Sequence, residues 1–224
     1  MDENWKKTDQ YIEQQLIGDD PILTEVLARN EAAGLPPHDV AANQGKYLQI
    51  LAMMVGAKRI LEIGTLGGFS TIWLARALPS DGKVISLEYD PLRADVAREN
   101  IRLAGFSRQV DIRCGEAKDT LPELIEEAPF DLIFIDADKP NNPLYLQWAL
   151  KLSRKGTVII GDNVVREGEV CNPESTDERV QGVRRFFDMM GNDPRLTATA
   201  LQTVGAKGWD GFSIAIVNDG PDPK

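Results

Sequence analysis

The 224-residue chain has few of the side chains that commonly bind zinc or activate nucleophiles. It contains one histidine, His38, and two cysteines, Cys114 and Cys171. A single histidine argues against zinc chemistry and against a serine–histidine–aspartate triad. Two cysteines provide neither a disulfide framework nor a metal-ligand spacing. We therefore expect neither a zinc site nor a histidine-dependent triad.

Positive charge and long apolar runs are also scarce. The chain has 25 basic and 35 acidic residues, a net charge of −10. This negative net charge argues weakly against a protein that binds a long nucleic-acid backbone or an anionic membrane. No run approaches 18 apolar residues, and the first ten residues lack the apolar region of a signal peptide. We therefore expect a cytoplasmic protein without membrane contact, folded as one domain over residues 1–224.

Residues 1–57 are predicted to be helical and to precede an α/β core at 58–224. Asp20 is expected to cap a helix that has Pro21 at its first position and continues to Gly34. Asn43 is expected to cap the next helix.

After residue 57 the pattern alternates between short β-branched runs and helical segments. Strands are predicted at 59–64, 83–89, 110–115, 131–137 and 157–163, with helices at 69–78, 91–103, 121–126, 144–152 and 180–190. Such alternation predicts right-handed crossovers and a parallel sheet with helices on both faces. Two final strands, 196–204 and 210–218, predict a terminal antiparallel hairpin. The expected fold is thus an α/β, mostly parallel seven-stranded sheet.

The segment "LEIGTLGG" joins the first predicted strand to a helix. A dinucleotide-binding loop has a second glycine at the position occupied here by Leu66, so the loop argues against NAD. The pattern Glu62-x-Gly64-x-x-x-Gly68 instead matches the motif that surrounds the amino-acid part of S-adenosylmethionine. The alternative is that these glycines only permit a tight turn.

Glu88 lies at the end of the second strand, twenty positions after Gly68. A carboxylate there can accept hydrogen bonds from both ribose hydroxyls of an adenosine ligand. A solvated strand-end carboxylate is the alternative. Ala117, after the third strand, is expected on the adenine side.

Oxygen-bearing side chains follow the fourth and fifth strands. Asp136, Asp138 and Lys139 come after one, and Asp162 with Asn163 after the other. Adjacent parallel strands end about 4.8 Å apart, so these loops can converge. Two carboxylates and an amide, from Asp136, Asp162 and Asn163, suit a hard cation such as Mg²⁺, Mn²⁺ or Ca²⁺. The alternative is that each residue is a turn former or helix cap.

The motifs "LEIGTLGGFST", "DADKPNN" and "GDNVV" resemble those of the cation-dependent class I O-methyltransferases, the caffeoyl-CoA and catechol O-methyltransferase family, and its bacterial members most. The resemblance implies a Rossmann-like methyltransferase fold and a homodimer. It implies metal ligands Asp136, Asp162 and Asn163, with Lys139 as the general base and Asp136 also in the catalytic set. The cofactor residues that it implies are Val40, Glu62, Gly64, Thr65, Gly68, Ser70, Glu88, Ala117 and Asp138.

The predicted activity is S-adenosylmethionine-dependent methylation of a vicinal dihydroxy aromatic compound of the catechol, caffeoyl or flavonoid type. Three alternatives remain open. These are methylation of a hydroxylated uridine in tRNA, a nicotinamide-dependent oxidoreductase, and a sensor that binds an adenosyl ligand without turnover. The net charge of −10 makes nucleic acid the less favoured partner.

Overall fold

The computed structural model describes residues 2–219. Seven strands form one sheet: β1 (Arg59–Ile63), β2 (Lys83–Glu88), β3 (Val110–Cys114), β4 (Phe130–Ile135), β5 (Ser153–Asp162), β6 (Leu196–Gly205) and β7 (Gly208–Val217). The helices are α1 (Glu3–Leu16), α2 (Pro21–Ala32), α3 (Ala42–Met54), α4 (Phe69–Ala75), α5 (Pro91–Leu103), α6 (Ala117–Thr120), α7 (Asn142–Lys151) and α8 (Glu178–Asn192). Short 3₁₀ helices cover Leu121–Glu127, Lys139–Asn141 and Arg166–Cys171.

The strand order is β3-β2-β1-β4-β5-β7-β6. The pairs from β3 through β5 are parallel, whereas β7 runs antiparallel to both β5 and β6. This arrangement confirms the predicted mostly parallel sheet with an antiparallel terminal hairpin. The strand order reverses between β1 and β4, and ligands of open α/β sheets bind beyond the carboxyl ends of the strands at such a point.

Two apolar clusters cover the two faces of the sheet. The first contains side chains of α2, α3, α4 and α5, and the second contains side chains of α7, α8 and the Leu121–Glu127 turn. Val26 of α2 and Leu48 of α3 are buried in the first cluster, which also contains Ile60 of β1 and Val84 of β2. Helices α2 and α3 therefore belong to the same core as the strands, which brings them within reach of the site.

Three local predictions are wrong in detail. Asn43 does not cap α3: Ala41 occupies that position and makes no side-chain cap hydrogen bond. The predicted helix at 121–126 is a 3₁₀ turn that contains Pro122, which lacks the N–H of a helical ladder. Helix α4 ends at Ala75 rather than at residue 78.

No helix within residues 2–219 is both long enough and apolar enough to cross a bilayer.

Candidate active site

The loop after β1 contacts the backbone that follows β4. Gly64 has a φ of 102°, and a Cβ atom there would lie 2.1 Å from the carbonyl oxygen of Asp136. The Asp136 N–H donates to the carbonyl of Ile63 at 2.8 Å, and the Gly64 N–H donates to the carbonyl of Leu87 at 3.0 Å. Only glycine tolerates both this φ and this approach. The predicted cofactor loop and the first predicted metal ligand are therefore adjacent.

Two buried asparagines hold the other end of the same loop. The amide of Asn100 donates to the carbonyl of Gly67 and to the side-chain oxygen of Asn30, both at 2.9 Å. Gly68 precedes α4 with a φ of 85°. Asn30 and Asn100 were not predicted as site residues, because nothing in their local sequence indicates a contact with the glycine loop.

Glu62 is fully buried at the end of β1. Its carboxylate accepts hydrogen bonds from the hydroxyls of Ser70 at 2.6 Å, Ser86 at 2.5 Å and Thr71. The hydroxyl of Thr65 lies 2.6 Å from that of Ser86 and extends this cluster. Burial raises the pKa of Glu62 to about 7, although the three hydroxyls oppose the increase. Glu62 thus ties β1 to β2 and to α4 beneath the loop.

Glu88 supports the loop from β2. Its buried carboxylate accepts hydrogen bonds from the backbone N–H of Leu66 at 2.8 Å and from that of Asp90 at 3.1 Å. Leu66 has a φ of 51°, a left-handed conformation that these contacts help to hold. Of the remaining predicted cofactor residues, Val40 is buried just before α3, and Ala117 begins α6.

Asp136, Lys139 and Asp162 come together at the carboxyl ends of β4 and β5. Lys139 is 6% exposed, and its ammonium lies 3.1 Å from one carboxylate oxygen of Asp136. Burial and the negative charge of Asp136 raise the pKa of Asp162 above its ordinary value. Asn163 has a φ of 53°, and its backbone N–H donates to Asp162 at 2.8 Å.

The chemistry of this donor set fits a divalent cation. Asp162 is a buried carboxylate close to a second carboxylate, and Lys139 is the cation bonded to that second group. A hard cation would compensate the excess negative charge, and it prefers oxygen ligands. No group of three or more histidine, cysteine or carboxylate side chains in residues 2–219 could hold a metal. The candidate set therefore depends on the amide of Asn163 as its third donor.

Asp138 is held separately from the three candidate ligands. Its carboxylate accepts a hydrogen bond from the hydroxyl of Tyr145 and one from the amide of Asn141 at 2.6 Å. Burial, followed by the nearby carboxylate, raises the pKa of Tyr145, so this hydroxyl stays protonated and serves as a donor. Asp138 is thereby fixed at the start of the Lys139–Asn141 turn.

Two further residues support this end of the sheet, and neither was predicted from the sequence. The side-chain amide of Gln44 donates to Asp162 at 2.8 Å from the first turn of α3. Asp210 of β7 accepts from the backbone N–H of Val165 at 2.9 Å and of Arg166 at 3.0 Å. Asp210 thus holds the chain that leaves the candidate metal loop.

Comparison with known proteins identifies close relatives over nearly the whole chain. A family model described as O-methyltransferase matches residues 13–212. Catechol O-methyltransferase of Mycobacterium tuberculosis is 53% identical over 209 residues, covering 93% of this chain and 94% of that protein. Catechol O-methyltransferase of Niastella koreensis is 52% identical over 215 residues, covering 95% and 97%. The crystal structure of the O-methyltransferase from Bacillus cereus in complex with SAH is 58% identical, has a TM-score of 0.96, and covers 97% of this chain and 100% of that chain.

Proposed function

Because the chain belongs to the O-methyltransferase family and is an S-adenosylmethionine-dependent enzyme, we propose that it methylates a catechol-type acceptor with the help of a divalent cation. The acceptor is a small aromatic compound with vicinal hydroxyls, such as a catechol, caffeoyl or flavonoid compound. The names of the relatives from Mycobacterium tuberculosis and Niastella koreensis support this acceptor class.

One observation carries the proposal. The carbonyl of Asp136 lies against Gly64, so the loop that would hold the methyl donor adjoins the oxygen-rich end of β4 and β5. Methyl transfer to a hydroxyl requires that the donor and the acceptor oxygen meet in line, and neighbouring sites make this possible.

Asp136, Asp162 and Asn163 would hold the cation, and Mg²⁺ suits such oxygen donors, with Mn²⁺ or Ca²⁺ as alternatives. When bound, a divalent cation lowers the pKa of a coordinated hydroxyl, which for a phenol is otherwise about 10. Two carboxylates balance the double charge of the ion, and the Asn163 amide adds a neutral oxygen. The buried setting strengthens these electrostatic contacts by limiting screening by water.

Lys139 would accept the proton of the acceptor hydroxyl as a neutral amine, after a bound cation replaces it as the partner of Asp136 and its ammonium releases one proton to solvent. Its ammonium neutralises Asp136 in the arrangement described here, and its low exposure keeps it inside the site. On the cofactor side, Glu88 would accept from the ribose hydroxyls, and the Glu62 cluster would keep the glycine loop in shape. Val40, Ala117 and Asp138 are proposed to line the remaining cofactor surface.

Methyl transfer from S-adenosylmethionine to caffeic acid and to a dihydroxyflavonoid tests the proposal. It is run with Mg²⁺, with EDTA, and with Asp136→Ala protein, beside an Asp188→Ala control on the exposed face of α8. We expect turnover by the wild type and by Asp188→Ala with Mg²⁺, and none with EDTA or with Asp136→Ala. Turnover that survives EDTA would overturn the cation dependence.

Bulk tRNA serves as a further acceptor in the same assay. Methylation of tRNA without methylation of any catechol would replace the proposed acceptor class. Cofactor binding without turnover on any acceptor would instead indicate a sensor.

The proposal includes a homodimer as the working form. An apolar groove of about 350 Å³ between α3 and the terminal hairpin supports it.

A further inference from the structure

The first turn of α3 is fixed by Asn43 rather than by a helix cap. The side-chain oxygen of Asn43 accepts from the backbone N–H of Gln44 at 2.8 Å, and its amide donates to Asp9 of α1 at 2.9 Å. Because the capping position, Ala41, offers no side-chain acceptor, Asn43 satisfies one of the free N–H groups of this turn. The backbone of Gln44 is thereby held in place.

Asp9 joins three elements at this point. It is a buried carboxylate, 6% exposed, that also accepts from the backbone N–H of Ala206 at 2.6 Å. A Cβ atom at Gly205 would lie 2.3 Å from the same carboxylate, so the hairpin turn packs tightly on it. Through Asp9 and Asn43, α1 and the terminal hairpin both support the start of α3.

The other side of the same turn packs against α4. A Cβ atom at Gly45 would lie 2.2 Å from the Trp73 ring, so α3 and α4 are in close contact at that residue. The residue next to Gln44 therefore has no room to shift toward α4. Close packing of this kind gives the long Gln44 side chain a fixed base.

Gln44 extends from this fixed base to Asp162. Its Nε2 donates to Oδ2 of Asp162 at 2.8 Å, while Oδ1 of the same carboxylate accepts from the Asn163 N–H at 2.8 Å. Each carboxylate oxygen thus has one defined donor and keeps lone pairs for a ligand. Both donors are neutral, so they orient the group without cancelling the charge that would attract a cation.

We propose that Gln44 is a positioning residue that orients the Asp162 carboxylate for the divalent cation. This inference rests on the cation dependence in the proposed function. Groups that hydrogen-bond to a metal ligand set its orientation, and their loss typically weakens metal affinity by about 10- to 100-fold. Gln44 therefore links the N-terminal helices to the chemistry of the sheet edge.

Titration of the full-length protein with Mn²⁺ tests the inference, with free Mn²⁺ measured by electron paramagnetic resonance. Gln44→Met keeps the length of the side chain but removes its donor. Gln49→Met, on the same helix, is the matched control, because Gln49 makes no hydrogen bond to the metal end of the sheet within residues 2–219. Thermal unfolding without metal monitors the fold of each variant.

We expect the Mn²⁺ dissociation constant to rise about 10- to 100-fold in Gln44→Met and to stay unchanged in Gln49→Met. In the transfer assay, saturating Mn²⁺ should bring the kcat of Gln44→Met close to that of the wild type, because the loss lies in metal affinity. Gln44→Leu serves as a second variant if Gln44→Met does not fold.

Equal Mn²⁺ affinity in Gln44→Met and wild type would overturn the inference and leave the proposed function intact. A kcat that stays low at saturating Mn²⁺ would also overturn it, since that result indicates a defect other than metal binding. A wild-type protein that binds no Mn²⁺ would instead refute the cation dependence itself. The two failures are therefore distinguishable.

Discussion

At the residue scale, buried carboxylates dominate the candidate site. Glu62, Glu88 and Asp162 are each less than 6% exposed. Every one of them accepts hydrogen bonds from hydroxyls, from backbone N–H groups or from a side-chain amide. Burial of charge is unfavourable unless such partners compensate for lost hydration. These partners therefore hold the three carboxylates in place, and the negative charge of the site can attract a cation or a cationic cofactor.

Because the pKa of Glu62 is raised, we expect the free energy of unfolding to depend on pH in the protein without metal or cofactor. Its folded pKa is raised to about 7, so between about pH 4.5 and pH 7 the unfolded chain binds fewer protons. The contribution of Glu62 to the free energy of unfolding is complete below the pKa that this residue has in the unfolded chain. It is lost as the pH rises through the pKa that Glu62 has in the folded protein. For a shift of this size the loss is about 3 kcal/mol.

Urea unfolding of wild type and Glu62→Gln from pH 5 to pH 8 measures this contribution. The free energy of unfolding of the wild type should fall more steeply with pH than that of Glu62→Gln, because glutamine does not ionise. Parallel curves for the two proteins would contradict the raised pKa.

Replacement of Lys139 is expected to lower the rate of methyl transfer without unfolding the protein. Lys139→Met removes the group proposed to accept the acceptor proton, and we expect kcat to fall by about 10²- to 10⁴-fold. Lys151→Met, on the outer part of α7, is the control and should keep wild-type kcat. Steady-state kinetics with saturating Mg²⁺ measure both. Unchanged kcat in Lys139→Met would remove Lys139 from the catalytic set.

At the element scale, the loop between β1 and α4 is positioned by its neighbours. It contacts the chain after β4 through Gly64, and α2 and α5 hold it through Asn30 and Asn100. The 3₁₀ turn that carries Lys139 is similarly covered by α8, where a Cβ atom at Gly182 would lie 2.1 Å from the Lys139 carbonyl. Close backbone-to-backbone contacts therefore fix the positions of the loops that form the site.

Gly64→Ala is expected to destabilise the protein and weaken cofactor binding. The new Cβ would overlap the Asp136 carbonyl, and the left-handed φ alone costs about 1–3 kcal/mol. Chemical denaturation and calorimetric titration with S-adenosylhomocysteine measure the two effects.

Gly191→Ala in α8 is the matched control. Apart from its chain neighbours and the backbone of its own helix, no heavy atom lies within 4 Å of its added Cβ, and helical alanine is favoured over glycine by about 0.5–1 kcal/mol. The control should therefore be at least as stable as the wild type. Equal stability of both alanine variants would show that the contact at Gly64 is readily relaxed.

At the scale of the whole molecule, one surface is unusually apolar. Met54 of α3 is 76% exposed and Ile216 of β7 is 43% exposed, and both line the groove. This surface adjoins β6, one of the two edge strands of the sheet. Exposed apolar patches of this kind often mark protein interfaces, which agrees with the homodimer in our proposal.

Size-exclusion chromatography with light scattering tests the homodimer. We expect the wild type to elute at twice the chain mass and Met54→Glu to shift toward the monomer, because a buried unpaired charge opposes association. Ile125→Glu, at an exposed apolar position in the Leu121–Glu127 turn, should leave the dimer intact. A monomeric wild type at micromolar concentration would contradict the dimer.

The fold could be predicted from sequence because its patterns are local. The alternation of β-branched runs with helical segments predicted the order of elements, and Asp20 with Pro21 predicted the start of α2 correctly. Asn43 was assigned wrongly, because a capping residue can satisfy backbone groups in more than one way. The exact ends of helices depend on packing, which sequence patterns describe poorly.

The family, the glycine loop and the carboxylates that follow β4 and β5 could be predicted from the sequence, since each is a short contiguous motif. The distant side chains that support them became visible in the packed structure. Gln44 lies 118 positions from Asp162, and Asn30 lies 70 positions from Asn100, yet each pair is hydrogen-bonded. Such pairs form because the helices and the sheet pack into one core, and no local pattern of residues encodes that contact.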